Sequence, residues 1–280
     1  MTTVSTSGVT LESRYRDVME RLGAAARRSG RLPGDIVMVA VTKYADLEQI
    51  RELIDLGHRD LGESRIQQLL QRAAIIEEML HRRRTMPGVA AVHAAERPFL
   101  DADRQTPKAD AVRWHLIGHL QRNKVKKAIE LSRLIHSVDS LRLVEEIQQA
   151  AFRRDQVVDV LVQVNCSGEA SKFGCAVAAA PHLCEQIDTM VHLRVRGLMT
   201  MAPYSDNPED SRLAFDRCKE VYDDIVRRGI GGEHFNLLSM GMSNDFEVAI
   251  ECGANIVRIG SLLFGEHHAT DQTEDADDEG

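Results

Sequence analysis

Ile36-Val37-Met38-Val39-Ala40-Val41-Thr42-Lys43-Tyr44 opens with six consecutive apolar residues and ends abruptly in a lysine. Pro33-Gly34-Asp35 precede it, and an apolar run bounded by turn residues is typical of a strand buried on both faces, as in a parallel sheet. Strand alternation places Lys43 on the same face as the three valines. If that face points into a closed barrel, the amine lies at the barrel's mouth. Taken alone, the pattern is explained most simply by a strand that ends in a solvated lysine.

Seven further strand and helix units follow this first strand. Further strands are predicted at 59–63, 114–118, 134–138, 157–164, 193–199, 234–238 and 255–259. Helices are predicted at 11–29, 46–56, 64–80, 124–131, 141–154, 176–190, 208–228 and 245–251. Eight alternating units in about 230 residues indicate an α/β fold of the (β/α)8 TIM barrel type, formed by a single domain.

A doubly wound parallel sheet is the alternative fold. Such a sheet usually has fewer strands and carries a glycine-rich phosphate turn after the first strand. Here the first strand is followed by Thr42-Lys43-Tyr44-Ala45, with neither GxGxxG nor GxxxxGK. The sequence therefore favours the barrel and argues against nucleotide binding of those two kinds.

Segments outside the regular units set the predicted domain boundaries. The barrel is expected to span 11–268, after a flexible N-terminus at 1–10. The stretch from about 82 to 111 contains three prolines and no sustained periodicity, which predicts a flexible insertion. Residues 269–280 are predicted to form a disordered acidic tail.

Composition and net charge bear on whether the protein binds nucleic acid. The 280 residues are 43% hydrophobic and 28% charged, as in an ordinary globular chain with a large core. The formal net charge is −8, and it is −2 without the six acids of the last eleven residues. A nearly neutral body gives no support for a nucleic-acid partner.

The cysteine pattern and the N-terminal residues indicate the cellular compartment. The five cysteines are far apart, odd in number and without a CxxC pair, which favours reduced thiols over disulfides or a metal site. The first residues lack the basic start and apolar stretch of a signal peptide. No window approaches the ~18 apolar residues of a membrane span. We therefore expect a cytoplasmic protein with no membrane partner.

The loops after the seventh and eighth strands carry candidate binding residues. Gly241 and Ser243 follow the seventh strand, and Gly260 and Ser261 follow the eighth. In TIM barrels these two loops often bind phosphate, and a helix N-terminus presents unpaired N–H groups to an anion. Helix capping and turn formation would account for either pair alone. Both loops together, beside Lys43, predict a phosphate-binding mouth.

A lysine amine, a phosphate cradle and an arginine at one barrel mouth match the requirements of pyridoxal 5'-phosphate (PLP). The amine forms an imine with the aldehyde, and the loops hold the phosphate. The arginine is Arg258, in the last strand.

Several segments, in order along the chain, resemble the YggS/PROSC family of PLP-binding homeostasis proteins. They are Val39-Ala-Val-Thr-Lys43, Trp114-His-Leu-Ile-Gly-His-Leu-Gln-Arg-Asn-Lys124, Leu161-Val-Gln-Val-Asn165 with Ser171-Lys-Phe-Gly174, Arg196-Gly-Leu-Met-Thr200, Leu238-Ser-Met-Gly-Met-Ser243 and Val257-Arg-Ile-Gly260. The matches run from about residue 11 to Gly265.

This resemblance implies a fold similar to the barrel domain of alanine racemase, which is PLP fold type III. It implies that Lys43 is the Schiff-base lysine and that Ser243, Gly260 and Ser261, with Gly241, lie at positions that contact the phosphate. Arg258 falls where an arginine faces the pyridine nitrogen. A guanidinium there keeps the nitrogen unprotonated, which weakens the cofactor as an electron sink.

The resemblance also bears on whether the protein is an enzyme. Alanine racemase carries a C-terminal β domain with an acid/base tyrosine, for which this chain has no room. Tyr44, Tyr204, His115 and His119 are substitutes for which a structural role is the simpler expectation. No catalytic or metal-binding residue is therefore assigned.

We expect a non-catalytic monomer that binds, buffers or delivers PLP to PLP-dependent apo-enzymes. The alternative is a single-domain PLP-dependent amino-acid racemase that acts through Lys43. A third, weaker alternative is a barrel without cofactor that serves as an interaction module.

Overall fold

Strand β1 (Val37–Val41) lies between two parallel neighbours, β2 (Asp60–Glu63) and β9 (Ile256–Ile259). The structure is a computed structural model that describes residues 10–85, 111–169 and 172–265. Its other strands are β3 (Arg113–Leu116), β4 (Ser132–Val138), β5 (Val158–Asn165), β6 (Cys175–Ala176), β7 (Leu193–Met199) and β8 (Leu237–Ser239).

The strands close into a parallel barrel. The order β1-β2-β3-β4-β5-β7-β8-β9 returns to β1, and the pairing of β4 with β5 completes the ring. The two-residue strand β6 pairs with β5 outside that ring. This topology confirms the predicted single-domain (β/α)8 barrel.

Helices surround the barrel in the order that the sequence predicts. They are α1 (Leu11–Arg28), α2 (Leu47–Asp55), α3 (Ile66–Thr85), α4 (Val125–Leu131), α5 (Leu141–Phe152), α6 (Ala180–Asp188), α7 (Arg212–Arg227), α8 (Phe246–Glu251) and α9 (Ser261–Phe264). Helix α1 precedes the barrel and packs on α2, α8 and α9, so the first and last described helices meet on one side. None of the described helices is long and apolar enough to cross a membrane.

Two apolar layers follow from strand alternation. A small cluster fills the barrel interior and consists of Val37, Val39, Leu134, Leu161, Met199, Leu237 and Ile256. The larger cluster lies between strands and helices and includes Met38 and Ala40 of β1. Because Val37 and Val39 belong to the inner cluster, the predicted facing of β1 is confirmed.

Two predicted boundaries were wrong. Helix α3 continues to Thr85, so the irregular insertion does not begin at residue 82. The predicted strand at 234–238 begins only at Leu237, because a 3-10 turn covers Gly232–His234. The predicted flexible N-terminus, most of the insertion and the acidic tail lie outside the described residues.

Candidate functional site

Lys43 lies in the turn that joins β1 to α2, at the C-terminal end of the barrel. The preceding Thr42 is buried, whereas the Lys43 side chain is exposed. Its Nζ lies 4.7 Å from the centroid of the neighbouring Tyr44 ring. Helix α2 then begins with Asp46 as a cap, whose carboxylate accepts from the Gln49 N–H at 2.8 Å. The turn thus presents an accessible primary amine at the mouth.

Arg72 of helix α3 holds this turn from the outer side of the barrel. Its guanidinium donates to the carbonyl oxygen of Thr42 and to that of Ala45 at 2.9 Å. These bonds fix the backbone on both sides of Lys43. It also donates to Glu63 Oε1 at 2.5 Å. Burial raises the pKa of Glu63, against the opposing effect of hydrogen bonds from Thr42 and Arg72.

The loops after β8 and β9 meet through the Ser243 hydroxyl. Its Oγ accepts from the backbone N–H of Gly260 at 3.2 Å and from that of Leu262 at 3.5 Å. Ser261 lies between these two donors and starts helix α9. The structure thus brings Ser243, Gly260 and Ser261 together, with backbone N–H groups directed at one point.

Gly260 also connects this loop to the strand that leads to Lys43. A Cβ placed on Gly260 would lie 3.4 Å from the Cβ of Val41, the last residue of β1. Ala40 pairs with Ile259, so the ends of β1 and β9 are at the same level of the barrel. The Lys43 turn and the Gly260 loop are therefore neighbours at the mouth.

Gly241 has a structural reason to be glycine. Its φ is +93°, and a Cβ there would lie 2.5 Å from the Cβ of Ala249 and 2.9 Å from the Cα of Phe246. The close neighbour is helix α8 rather than open space at the mouth. The Gly241 carbonyl accepts from the Arg258 backbone N–H at 3.0 Å. Gly241 therefore lets the loop pack on α8.

Asp245 orders the same loop. Its carboxylate accepts from the Met242 N–H at 2.6 Å and from the Ser211 hydroxyl at 3.0 Å. The residue is buried, so both bonds are shielded from water. This arrangement keeps the segment from Gly241 to Ser243 in one conformation.

Arg258 lies on β9 beside Val39 and is 4% exposed. Its guanidinium donates from Nη1 to Ser239 Oγ at 2.7 Å and from Nη2 to the Thr200 carbonyl at 2.9 Å. Burial lowers the pKa of Arg258 to about 10, partly opposed by the negative charge of Asp245. The side chain is therefore a fixed cation at pH 7 below the mouth.

The four acid/base candidates lie in different environments. Tyr44 and Tyr204 are 60% and 87% exposed, whereas His115 is fully buried and bonded within the barrel. His119 stacks on Phe173, with ring centroids 4.7 Å apart. The described residues contain no group of three or more His, Cys, Asp or Glu that could hold a metal ion.

Sequence reasoning did not identify Arg72, Asp245, Thr200 or Ser239. Arg72 is 27 residues from the carbonyl it binds at Ala45, and no motif links the two. Asp245 comes four residues after Gly241 and two after Ser243, and its position before helix α8 was a usable signal of a loop-ordering carboxylate.

Comparison with known proteins decides the family. The family model described as "Alanine racemase, N-terminal domain" matches residues 31–268. A curated relative from Aquifex aeolicus, "Pyridoxal phosphate homeostasis protein", is 38% identical over 254 residues, which are 90% of this chain and 96% of that protein. A relative of the same name from Mycobacterium leprae is 32% identical and covers 89% of both chains. The chain belongs to the pyridoxal phosphate homeostasis protein family.

Solved structures agree with this membership of the homeostasis protein family. An unknown protein from Bifidobacterium adolescentis has a TM-score of 0.78 and 34% identity, covering 91% of this chain and 94% of that one. PipY of Synechococcus elongatus, solved with PLP bound, has a TM-score of 0.67 and 26% identity, covering 89% and 100%. Alanine racemase of Clostridium difficile shares the fold, with a TM-score of 0.64 at 13% identity, over 95% of this chain and 59% of that one.

Proposed function

We propose that this protein binds PLP at the mouth of its barrel and takes part in PLP homeostasis by holding and releasing it. The main support is the convergence of three groups at adjoining strand ends. These are the exposed Lys43 amine after β1, the N–H groups around Ser243 after β8 and β9, and the buried Arg258 cation. The names of the relatives and the PLP-bound PipY structure add to this support.

The residues present fit three polar parts of this cofactor, namely the aldehyde, the phosphate and the ring nitrogen. When bound, PLP supplies an aldehyde that bonds reversibly to an amine and a ring that can withdraw electrons. Lys43 would provide the amine, and Ser243, Gly260 and Ser261 would bind the phosphate through hydroxyl and N–H groups. Gly241 would contribute by shaping the loop. Arg258 would face the ring nitrogen.

Arg258 favours holding the cofactor over using it. A permanent guanidinium charge beside the ring nitrogen keeps that nitrogen unprotonated and reduces the ring's capacity to accept electrons. We therefore propose a carrier that delivers PLP to PLP-dependent apo-enzymes and acts as a monomer. Five free thiols, four of them buried, suit a reducing compartment and support a cytoplasmic location.

A PLP-dependent amino-acid racemase is the second candidate. The observation in its favour is Tyr44, which is exposed beside the Lys43 amine and carries a hydroxyl able to move a proton. Exchange of the α-proton of amino acids in deuterated water tests this candidate. Robust exchange by the wild type that Tyr44→Phe abolishes would replace the carrier proposal.

Covalent trapping tests the cofactor site. We expect wild type mixed with PLP to show a visible absorption band that Lys43→Ala lacks, while Lys126→Ala, at an exposed lysine on α4, keeps it. Borohydride reduction and peptide mapping should place the adduct on Lys43. An adduct on another lysine would contradict the site, and a wild type without any band would leave the barrel as an interaction module.

A further inference from the structure

A chain of polar side chains crosses the barrel interior. It consists of Asp60 on β2, His115 on β3, His136 on β4, Ser239 on β8 and Arg258 on β9, all of them at most 4% exposed. It runs from the start of β2, far from the mouth, to the guanidinium below the mouth. None of the first four residues belongs to the proposed PLP site.

Each member of the chain is hydrogen-bonded to the next. His115 Nε2 lies 3.2 Å from Asp60 Oδ1, and His115 Nδ1 lies 3.0 Å from His136 Nε2. His136 Nδ1 lies 3.0 Å from Ser239 Oγ, which accepts from Arg258 Nη1 at 2.7 Å. At the far end, Arg113 donates twice to Asp60, both times at 2.7 Å.

The two ends, taken together with two neutral imidazoles, determine the direction of every bond between them. A guanidinium can only donate, and a carboxylate held by Arg113 can only accept. Ser239 accepts from Arg258, so its own proton is directed to His136 Nδ1. His136 then donates from Nε2–H to His115 Nδ1, and His115 donates from Nε2–H to Asp60. In this arrangement both neutral imidazoles carry their proton on Nε2.

We propose that His115 and His136 are positioning residues for Arg258, an inference that rests on the proposed PLP site. By accepting the Ser239 proton, His136 turns an oxygen lone pair of Ser239 toward Arg258. That bond and the bond to the Thr200 carbonyl fix two of the guanidinium nitrogens. The chain therefore sets the orientation in which Arg258 meets the ring nitrogen.

A purely structural role explains the chain less well. Apolar residues occupy part of the same interior, from Val39 on β1 to Leu134 on β4. Replacing buried polar networks by apolar side chains is often neutral or stabilising, because the polar groups must be desolvated. Two buried imidazoles cost stability that Leu or Phe would not, so they are expected to serve the residue at the chain's end.

The tautomers can be tested without PLP. In long-range 15N–1H NMR spectra of the wild type at pH 7.5, we expect both histidines to be neutral, with the proton on Nε2. Selective assignment through His115→Gln and His136→Gln identifies the two rings. Protons on Nδ1, or a charged imidazole, would contradict the direction of the chain.

Variants that interrupt the chain test its effect on the cofactor. Ser239→Ala and His136→Leu each remove a link, whereas His136→Gln retains one acceptor and one donor. We expect PLP to dissociate about tenfold faster from the two interrupted variants, with a shifted visible band. Ser239→Ala removes a bond to the charged guanidinium, and His136→Leu removes the group that orients the Ser239 hydroxyl for that bond. His136→Gln should restore most of the wild-type rate.

Ser137→Ala is the matched control for these variants. Its buried hydroxyl has no hydrogen-bond partner among the described residues, so its removal should leave the PLP off-rate and band unchanged. If His136→Leu fails to fold, the conservative variant Ser239→Ala still tests the positioning role. Wild-type rates and bands in Ser239→Ala would overturn the positioning role, whereas a wild type that binds no PLP would overturn the proposed function.

Discussion

Arg72 is the residue whose contacts most directly fix the Lys43 turn, and it lies on a helix outside the barrel. Arg72→Leu should destabilise the protein by about 3 kcal/mol, because it leaves Glu63 buried without its cation and removes a donor from the carbonyls of Thr42 and Ala45. Chemical denaturation measures this change. Arg16→Leu, which removes an exposed ion pair with Glu12, should cost less than about 0.5 kcal/mol.

A double variant separates stability from positioning at this turn. Arg72→Leu with Glu63→Gln should recover part of the lost stability, because no charge remains buried. Its Thr42 and Ala45 carbonyls still lack the guanidinium, so we expect PLP to react with Lys43 more slowly than in wild type. A double variant with the wild-type rate would show that Arg72 serves stability alone.

His136 should make the free energy of unfolding decrease at acidic pH. Burial, followed by the nearby His115 and Arg258, holds the pKa of His136 well below the ordinary value of 6.5. The unfolded chain therefore takes up a proton below pH 6.5 that the folded protein does not, so stability falls as the pH falls. Between pH 7.5 and 5.5, this one group removes about 1.4 kcal/mol.

The comparison with His136→Gln isolates that contribution from the other titrating groups. Urea unfolding at the two pH values should give a smaller loss for His136→Gln than for wild type, by about 1.4 kcal/mol. Equal losses in the two proteins would mean that His136 takes up a proton in the folded barrel as readily as in the unfolded chain, and would contradict this prediction.

At the scale of elements, the loop between β8 and α8 is shaped by packing. Gly241→Ala adds a Cβ within 3 Å of helix α8 at a φ of +93°, so we expect a loss of about 2–4 kcal/mol. Gly229→Ala is the matched control. Its φ is +72° with no atom within 4 Å of the new Cβ, so only the backbone cost of about 1–2 kcal/mol applies.

The regular elements were predictable because their patterns are local. The alternating apolar run of β5 and the apolar spacing of α2 each specify a period within a few residues. The end of α3 was missed because its basic last turn looks like a loop, although arginine is a good helix former. Residues 234–236 were missed because Gly231, with a φ of +72°, leads into a turn rather than a strand.

At the scale of the whole molecule, the site divides into a predictable and an unpredictable part. Lys43, Ser243 and Gly260 could be predicted as candidates because barrel topology places every strand end at one face. Arg72, Ser239 and His136 were not, because their partners are distant in sequence: His136 and Ser239 are 103 residues apart. Only the closed ring of strands brings such pairs together, and no local pattern encodes them.

Binding of PLP should stabilise the barrel as a whole, because the proposed contacts come from β1, β8 and β9, which pair to close the ring. At a PLP concentration of 100 times the dissociation constant, linkage predicts a gain of about 2.7 kcal/mol, seen as a rise in Tm. Lys43→Ala at the same concentration should lose much of this gain, whereas Lys126→Ala should retain it.

Deletion of residues 270–280, which removes six acids but no proposed contact, should leave the gain unchanged. A smaller gain after the deletion would show that the acidic segment contributes to binding, and no gain in the wild type would contradict the proposed site.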